Sequence, residues 1–421
     1  MTLFAVEGAA GCGKTVRLMN EVEAALAAAP LLQGQRVLAL TFMHGARRRL
    51  QQKLSAVTAL RGHLHCVTFD SFAQRLVGRW RGLATALGAP VLQPDEYDAH
   101  CNLAGELLEQ PDVARWVAQS FPVVLVDEAQ DLKPERLRMM AALAPASRVL
   151  VAADDFQCLD PSLRPNPAVA WLRQACKPVT LDRVHRTTVA PLLAAARALR
   201  VGGAPVAEGD FRILTSRGEP MAAVFLANAI AWRRGGGVAV ITPSIRGGFA
   251  QGLVEAVGAG PVGQRQNGPY RIPWERSEGD ETDALVRELT MDAPMDLRRT
   301  VAALEGLSNR AIGRATIDRV RRQARAAGVA LFNPTDVAQM VRRQVAIHRQ
   351  QGRGDDPLLV AMTVQQAKNR EFEGVVVVWP YQVGGDAEHK RRLLYNAVTR
   401  ARRWCTVILQ GSSLLRDPPF Q

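Results

Sequence analysis

Paired cysteines, long apolar runs and an N-terminal leader pattern are all missing from this chain of 421 residues. The cysteines are few and scattered, with no Cys-x-x-Cys pair, at Cys12, Cys66, Cys101, Cys158, Cys176 and Cys405. This pattern argues against a disulfide framework or a zinc site and indicates a reducing cytosol. No run of about 20 apolar residues occurs, so we expect no membrane span. Residues 1–7 become charged too early for a signal peptide, and we therefore expect a cytoplasmic protein without a membrane partner.

Lysine is also scarce, although the chain is strongly basic. There are 53 Lys and Arg residues against 40 Asp and Glu, which gives a formal net charge of +13, and only six of the 53 are lysine. Such a surplus indicates a polyanionic partner, most often nucleic acid. The alternative is that arginine is simply used often on the surface.

Short apolar runs alternate with helical patterns along the chain. Seven runs rich in Val, Leu and Ile occur at residues 3–6, 37–42, 123–126, 149–153, 238–242, 375–379 and 405–409. Continuous apolar runs are typical of parallel strands that are buried on both faces. Because helical patterns lie between most of the runs, the alternation predicts an α/β fold with parallel sheets.

The strongest local motif follows the first apolar run. It matches the phosphate-binding pattern G-x-x-x-x-G-K-[ST] and consists of Gly8, Ala9, Ala10, Gly11, Cys12, Gly13, Lys14 and Thr15. Glycines let backbone N–H groups surround a β-phosphate, and the following helix N-terminus favours negative charge. We predict that this segment binds ATP, that Lys14 bridges the β- and γ-phosphates, and that the Thr15 hydroxyl binds Mg²⁺.

Two adjacent carboxylates, Asp127 and Glu128, follow the apolar run at residues 123–126. Acidic residues after a strand are usually just a solvated turn. In a chain with a phosphate-binding loop, however, this is how NTPases hold metal and water. We predict that Asp127 binds Mg²⁺ and that Glu128 is the general base for the attacking water.

Further segments, in order along the chain, resemble motifs of the UvrD/Rep-type superfamily 1 helicases. Residues 127–131 resemble the D-E-x-Q-D form of that family's Walker B motif. Residues 153–157 resemble G-D-x-x-Q, which implies that Gln157 senses the γ-phosphate. Residues 182–187 resemble N-Y-R-S, which implies that Arg186 lies beside the γ-phosphate.

The resemblance continues in the C-terminal part. Residues 363–372 resemble T-x-H-x-A-K-G-L-E-F, whose glutamate, here Glu371, contacts the nucleotide sugar in the family. Residues 395–401 resemble Y-V-A-x-T-R-A, which implies a second arginine finger at Arg400. Arginines brought in by a second lobe would make hydrolysis depend on cleft closure, and so would couple nucleotide state to lobe movement.

DNA contacts in the first lobe are implied by two segments. Residues 40–43 resemble the family's segment that contacts single-stranded DNA, and residues 67–72 resemble T-F-H-S-F. The resemblance thereby assigns DNA contacts to Thr41, Phe42, Thr68 and Phe69.

The chain also departs from the family pattern. No aromatic occurs at residues 158–161, where the family places side chains that stack on bases, an interaction worth about 1–3 kcal/mol per base. The sequence begins almost at the first strand and lacks the upstream glutamine segment with which the family reads adenine, so the motifs in it do not distinguish ATP from other nucleotides. Asn369 and Arg370 replace Gly-Leu, and the compact chain is similar to the helicase-like subunits of anti-phage systems such as Gabija, which act beside a separate nuclease.

A basic segment follows the middle of the chain. Arginines at spacings of four, seven and four would share one helix face, at Arg310, Arg314, Arg321 and Arg325. A second helix is predicted at residues 335–348, with Thr335 as its N-cap. The stripe is either a solvated face or a surface that tracks DNA phosphates through Arg314 and Arg321.

The sequence therefore predicts two RecA-like P-loop NTPase lobes with parallel sheets, each carrying a short, mostly helical insertion. The first lobe covers residues 1–180, with its insertion at about 74–119; the second covers 181–248 and 356–421, around a basic insertion at 249–355. The resemblance implies a DNA-dependent ATPase that uses Mg²⁺ and ATP to translocate on single-stranded or partly duplex DNA and to unwind it 3′→5′. The alternative is a nucleotide-gated DNA sensor or assembly subunit that acts with a separate nuclease, for example in anti-phage defence.

Overall fold

The computed structural model describes residues 3–42, 44–93, 95–232, 236–275, 278–351 and 358–421. The chain forms two compact units. One contains Met1–Pro273 and Leu358–Gln421, and the other is Trp274–Pro357. Within the described ranges, no helix combines the length and the apolar character needed to cross a membrane.

The first unit begins with a lobe built on a six-stranded parallel sheet. Its strands are β1 (Leu3–Gly8), β2 (Val37–Thr41), β3 (Leu64–Thr68), β4 (Val123–Val126), β5 (Arg148–Ala153) and β6 (Val179–Leu181). Its helices are α1 (Lys14–Ala28), α2 (His44–Ser55), α3 (Phe69–Arg79), α4 (Arg81–Ala86), α5 (Tyr97–Leu108), α6 (Pro111–Ser120), α7 (Pro134–Leu143) and α8 (Pro167–Ala175). The strand order is β3-β2-β4-β5-β1-β6, and two apolar cores cover the two faces of the sheet.

The second lobe starts after β6. Its first elements are the helices α9 (Ala190–Arg200), α10 (Glu219–Trp232) and α11 (Phe249–Ala259) and the strands β7 (Phe211–Thr215) and β8 (Val238–Thr242). Helix α11 packs on α10 within this unit. Residues 249–273, which the sequence predicts to be part of the basic insertion, belong to the first unit, because the second compact unit starts at Trp274.

The second unit is mostly helical. It contains α12 (Glu278–Glu288), β9 (Met295–Asp296), α13 (Leu297–Glu305), α14 (Arg310–Ala327), β10 (Leu331–Phe332) and α15 (Pro334–Gln351). The amphipathic pattern appears in α14, where Ile317 and Val320 are buried while all four arginines of the stripe are exposed. The predicted N-cap at Thr335 is wrong, because α15 begins at Pro334, a residue favoured in the first helical position.

The chain then returns to the second lobe with β11 (Leu359–Thr363), β12 (Phe372–Trp379), α16 (Ala387–Val398) and β13 (Ala401–Leu409). The five-stranded sheet has the order β11-β8-β12-β13-β7, and its strand pairs are parallel. The predicted α/β class with parallel sheets is confirmed, and each of the seven apolar runs contributes a strand to one of the two sheets.

Helices α3 and α5 are joined to α7 by one guanidinium. Arg136 contacts Asp70 of α3 at 2.6 Å and Asp98 of α5 at 2.7 Å. In the family that this chain resembles, histidine occupies the position of Asp70. Here the aspartate pairs with Arg136 of the same chain, which gives the replacement a structural role. Only 11% of the Arg136 side chain is exposed, and the pair with Asp70 is therefore shielded from water.

Replacing Arg136 with alanine leaves Asp70 without its cation. We expect a loss of about 2 kcal/mol in the free energy of unfolding, because hydrogen bonds to partly buried charges are worth more than exposed pairs. Urea denaturation would measure it. Arg138→Ala is the matched control, since Arg138 is 34% exposed and its pairs lie near the surface; its expected cost is below about 1 kcal/mol. Equal losses in the two variants would contradict the prediction.

Candidate functional site

The phosphate-binding segment connects the end of β1 to the first turn of α1. Gly11 and Gly13 have φ angles of 78° and 82°, in the left-handed region that favours glycine. A Cβ atom on Gly11 would lie 2.7 Å from the Cβ of Arg186, so the second lobe packs directly on this loop. The N-cap residue of α1 is Gly13, which has no side chain with which to cap the helix. The N-terminus of this helix therefore offers backbone N–H groups to an anion.

Lys14 is buried at the base of the loop. Its Nζ donates to the carbonyl oxygens of Gly8, at 2.9 Å, and Ala9, at 3.1 Å. The nearest carboxylate oxygen that pairs with it, Oδ2 of Asp154, lies 3.9 Å away. The ammonium group is thus held at the phosphate loop by neutral oxygens and is not closed into a tight ion pair.

Thr15 and Asp127 come together across the end of the sheet. The Thr15 Oγ1 donates a hydrogen bond of 2.9 Å to Oδ2 of Asp127. Mg²⁺ prefers oxygen ligands and usually takes only one or two from the protein, with the rest supplied by water and phosphate. A hydroxyl and a carboxylate side by side at the phosphate loop fit that requirement.

Glu128 follows β4 in a conformation that is unusual for a residue other than glycine, with φ of 61° and ψ of 42°. Such backbone strain occurs at functional sites, where the surrounding structure enforces it. The carboxylate accepts a hydrogen bond from Nε2 of Gln130. The Oε1 of Gln130 in turn accepts from the backbone N–H of Asp154, which ties the ends of β4 and β5 together.

The two adjacent carboxyl groups differ in proton affinity. Burial raises the pKa of Asp127 to about 6, and the neighbouring charge of Glu128 adds to the rise. Burial also opposes ionisation of Glu128, but the charge of Lys14 and the hydrogen bond from Gln130 outweigh it and lower the Glu128 pKa. Glu128 is therefore ionised at neutral pH, as a general base must be.

Arg186 reaches the site from the segment before α9. Its Nη1 donates to the carbonyl oxygen of Thr399 at 2.8 Å, and its Nε lies 2.9 Å from Oε1 of Glu371. Glu371 also pairs with Arg402 at 2.8 Å. The structure thus brings together Arg186 and Glu371, which are far apart in the sequence.

Arg400 is buried, with 2% of its surface exposed. Its Nε donates to the carbonyl oxygen of Asn396 at 3.0 Å, and in the described part of the chain no carboxylate lies within ion-pair distance of it. Burial and the charge of Arg186 lower the pKa of Arg400 to about 10, while Glu128 acts in the opposite direction. A buried guanidinium without a paired carboxylate is costly, so this position suits a phosphate anion.

Gln157 ends a short turn after β5 and is also buried. The second lobe holds this turn through Arg392 of α16, which donates to the carbonyl oxygens of Asp155 and Cys158 and pairs with the Asp155 carboxylate at 3.2 Å. A further pair joins the lobes where Lys368 meets both carboxylate oxygens of Asp131 at 2.8 Å.

Sequence reasoning did not assign a role to four side chains that connect these parts: Gln130, Asp154, Arg200 and Tyr395. Three of them lie inside the motifs, which could have identified them. Arg200, at the end of α9, is outside every motif and gave no signal. The hydroxyl of Tyr395 accepts a hydrogen bond of 2.9 Å from the backbone N–H of Ala10 in the phosphate loop.

Three of the four residues predicted to contact DNA in the first lobe, Thr41, Thr68 and Phe69, are buried, and Phe42 is partly buried. Thr41 and Thr68 are paired in register at the carboxyl ends of β2 and β3. Thr68 caps α3 by accepting from the Ser71 N–H at 3.2 Å. Phe42 is partly buried, with its ring centre 5.4 Å from that of Phe69. Phe69 itself is fully buried in the core, so its ring has no face available to stack on a base.

A second threonine pair, which sequence reasoning missed, occupies the corresponding place in the second lobe. Thr242 and Thr363 are partners in register at the carboxyl ends of β8 and β11. These strands hold the same outer positions in the second sheet that β2 and β3 hold in the first. Arg314 and Arg321, the remaining predicted DNA contacts, are exposed on α14 of the second unit.

Comparison with known proteins adds two family matches. The AAA domain matches residues 1–218, which is more than half of the chain, and the UvrD-like helicase C-terminal domain matches residues 358–408. No curated protein matches the chain.

Among solved structures, the chain is similar to the helicase nonstructural protein 10 of Arterivirus. In its complex with DNA the identity is 12% and the TM-score 0.37, with 97% of this chain and 60% of that chain covered. A crystal structure of the same viral protein gives 13% and 0.38, with 98% and 61% covered. The chain therefore spans about 60% of the length of these structures.

Proposed function

The chain belongs to the AAA-domain family, and from that premise and the UvrD-like helicase C-terminal domain match we propose that it is a UvrD/Rep-like superfamily 1 helicase that couples Mg·ATP hydrolysis to movement along single-stranded DNA. The observation that carries the proposal is the position of Arg400. This guanidinium is buried, lacks a carboxylate partner in the described ranges, and lies among the charges of Arg186 and Glu128. A transferred γ-phosphoryl group at this place would supply the missing negative charge.

Each side chain of the site has a defined task in this proposal. Lys14 and the N–H groups at the start of α1 bind the phosphates, and Thr15 and Asp127 hold Mg²⁺. The ion, when bound, neutralises charge on the phosphate oxygens. Glu128 orients the attacking water and accepts its proton. Arg400 and Arg186, from the second lobe, stabilise the charge that develops on the γ-phosphoryl oxygens.

The DNA strand crosses the carboxyl-end edges of both sheets in this proposal. The threonine pairs Thr41–Thr68 and Thr242–Thr363 mark this edge in the two lobes; Thr41, Thr68 and Thr242 are buried, so in this proposal the backbone N–H groups that follow these strand ends contact the DNA. Backbone N–H groups commonly contact phosphate oxygens, which positions a strand without reading its sequence. Two equivalent contact sets on lobes that close and open with nucleotide would allow stepwise movement, which in the family runs 3′→5′.

One observation favours a second candidate, a nucleotide-gated DNA sensor that acts with a separate nuclease. Cys158 and Leu159, which follow Gln157 where the family carries aromatic residues, are both buried. That position therefore offers no aromatic platform for bases, and stacking of about 1–3 kcal/mol per base is lost there.

ATP turnover with and without single-stranded DNA, followed by strand displacement on a partly duplex substrate, separates these functions. The proposed motor requires turnover that DNA stimulates, together with displacement of the paired strand. Stimulated turnover without displacement would favour the sensor. Bound nucleotide without any turnover would refute both.

Charge reversal of Arg314 and Arg321 on α14 tests whether the basic stripe of the second unit binds DNA. The double variant Arg314→Glu/Arg321→Glu is expected to bind single-stranded DNA about tenfold more weakly or worse at low salt, because each lost phosphate contact also removes counterion release. The slope of log K against log salt should become shallower by about 1 to 2. A fluorescence anisotropy titration at several salt concentrations would measure both quantities.

The matched control is Arg61→Glu/Arg81→Glu, which makes the same change of net charge at two exposed arginines of the first lobe. It should lower affinity only slightly and leave the salt slope unchanged. If both double variants lose affinity equally, general charge and not the α14 surface is responsible.

A further inference from the structure

Arg200 lies at the junction between the second lobe and the phosphate loop without belonging to any sequence motif. Its Nη1 donates to Oδ1 of Asp154 at 2.7 Å and to the hydroxyl of Tyr395 at 3.3 Å. The guanidinium also lies over two aromatic rings, 5.6 Å from the ring centre of Phe156 and 5.8 Å from that of Tyr395. These contacts fix the guanidinium in one place.

Asp154 is the group through which Arg200 would act. Its carboxylate is completely buried, and its Oδ2 has no hydrogen-bond partner in the described part of the chain. The only cations that pair with it there are Arg200, from the second lobe, and Lys14, from the phosphate loop. A buried carboxylate is costly without a nearby positive charge, so one of the two must serve it.

The distances show that Arg200, and not Lys14, is the cation that neutralises Asp154. Arg200 is in direct contact with Asp154 at 2.7 Å, whereas the Lys14 Nζ lies 3.9 Å from it and directs its hydrogen bonds to backbone carbonyls. If Arg200 were removed, Lys14 would be the remaining cation within reach. Asp154 and a bound phosphate would then compete for the same ammonium group.

We infer that Arg200 is a positioning residue that neutralises Asp154 when the lobes are together and thereby leaves Lys14 free for the nucleotide. The inference rests on the proposed nucleotide site and adds a link between lobe closure and nucleotide affinity. When the second lobe moves away, Asp154 loses its partner and draws Lys14 from the phosphates. Tyr395 provides a second link between the second lobe and the phosphate loop. Its hydroxyl accepts hydrogen bonds both from Arg200 and from the backbone N–H of Ala10.

Binding of Mg·ADP to the full chain, measured by isothermal titration calorimetry, tests the inference without requiring turnover. Arg200→Gln keeps hydrogen-bond donors but removes the charge, and we expect its Kd to rise about tenfold or more. Adding Asp154→Asn removes the competing charge and should return the Kd to within about threefold of wild type, because a neutral amide does not attract Lys14. A residue that only supported the fold would not be rescued by this second change.

Two further variants complete the experiment. Arg200→Lys retains a cation for Asp154 without the planar guanidinium, and should bind Mg·ADP within about threefold of wild type. Arg197→Gln makes the same substitution as the charge-removing variant at an exposed arginine of α9, one turn earlier, and should not change the Kd.

The inference is overturned if Arg200→Gln binds Mg·ADP like wild type, if Asp154→Asn fails to restore affinity, or if Arg200→Lys loses as much affinity as Arg200→Gln. Thermal unfolding of each variant establishes that it is folded; should Arg200→Gln alone not fold, folding and wild-type Mg·ADP binding by Arg200→Gln/Asp154→Asn support the inference, and their absence overturns it. Wild-type protein that binds no Mg·ADP would refute the proposed nucleotide site instead. Wild-type protein that binds Mg·ADP but hydrolyses no ATP would refute the proposed activity and leave this test valid.

Discussion

Replacing Arg400 with methionine is expected to abolish ATP turnover while leaving the protein as stable as before or slightly more stable. Arginines that stabilise the transferred phosphoryl group contribute about 10³–10⁵ to the rate. Arg400 is buried, and burial together with the charge of Arg186 lowers its pKa to about 10, so the folded protein bears the cost of this charge when no phosphate neutralises it. Replacing a buried charge with an apolar side chain of similar size is often neutral or stabilising, by about 1–4 kcal/mol.

A catalytic role for Arg400 predicts that turnover is lost while stability is kept, whereas a structural role predicts a loss of stability. Steady-state ATP turnover with saturating single-stranded DNA would give the rate, and thermal or urea unfolding without nucleotide would give the stability. Arg392→Met is the matched control. Arg392 is also a buried arginine of the second lobe, but it is paired with Asp155 and Glu388.

Methionine at position 392 should destabilise the protein, since it leaves two carboxylates and the carbonyl oxygen of Asp155 without their cation. A loss of stability in Arg400→Met as large as that in Arg392→Met would show that Arg400 has a structural role. Turnover within about tenfold of wild type would remove it from the catalytic site.

The apolar runs were the easiest parts of the fold to predict from the sequence, whereas four strands of the two parallel sheets were not predicted. All seven runs are short, nearly continuous apolar stretches rich in Val, Leu, Ile and Ala, which is typical of a strand buried on both faces. These are the edge strands β3, β6, β7 and β11; β3, β6 and β7 contain charged, polar or exposed residues, whereas β11 is as apolar as the predicted strands. In β6, for example, two of three residues are exposed, so hydrophobicity carries no signal there.

The phosphate loop was also predictable, because its chemistry depends on adjacent residues. Glycines, a lysine and a threonine must follow one another to surround a phosphate, so the motif is complete within eight residues. Phe69 shows the limit of such local reasoning. Its segment resembles a DNA-contacting motif, but whether its ring faces solvent depends on the helices that pack over it, and the structure buries it completely.

Arg200 shows what no local pattern could reveal. Its partners, Asp154 and Tyr395, are 46 and 195 positions away in the sequence. Among many arginines, only the three-dimensional arrangement singles this one out. The same holds for Arg400, whose lack of a paired carboxylate is a property of its surroundings and not of its motif.

Replacing Glu128 with glutamine is expected to reduce ATP turnover by about 10²–10⁴, the contribution typical of a general base. An amide of the same shape keeps an oxygen that can accept from Gln130, but it cannot take a proton from water. The substitution also removes a charge that raises the pKa of Asp127, so that carboxylate remains available as a metal ligand. Binding of Mg·ATP should therefore persist while hydrolysis stops.

The distinction between binding and hydrolysis decides whether Glu128 is catalytic. Mg·ATP binding measured by calorimetry should change by less than about threefold, because Lys14, Thr15 and Asp127 are intact. Glu23→Gln, the same substitution at an exposed position of α1, should leave turnover at the wild-type rate. If Glu128→Gln lost turnover only in proportion to lost nucleotide affinity, the carboxylate would be a binding group. If Glu128→Gln kept turnover within a few-fold of wild type, a group other than Glu128 would accept the proton of the attacking water. Hydrolysis would then not depend on Glu128 and its strained backbone after β4.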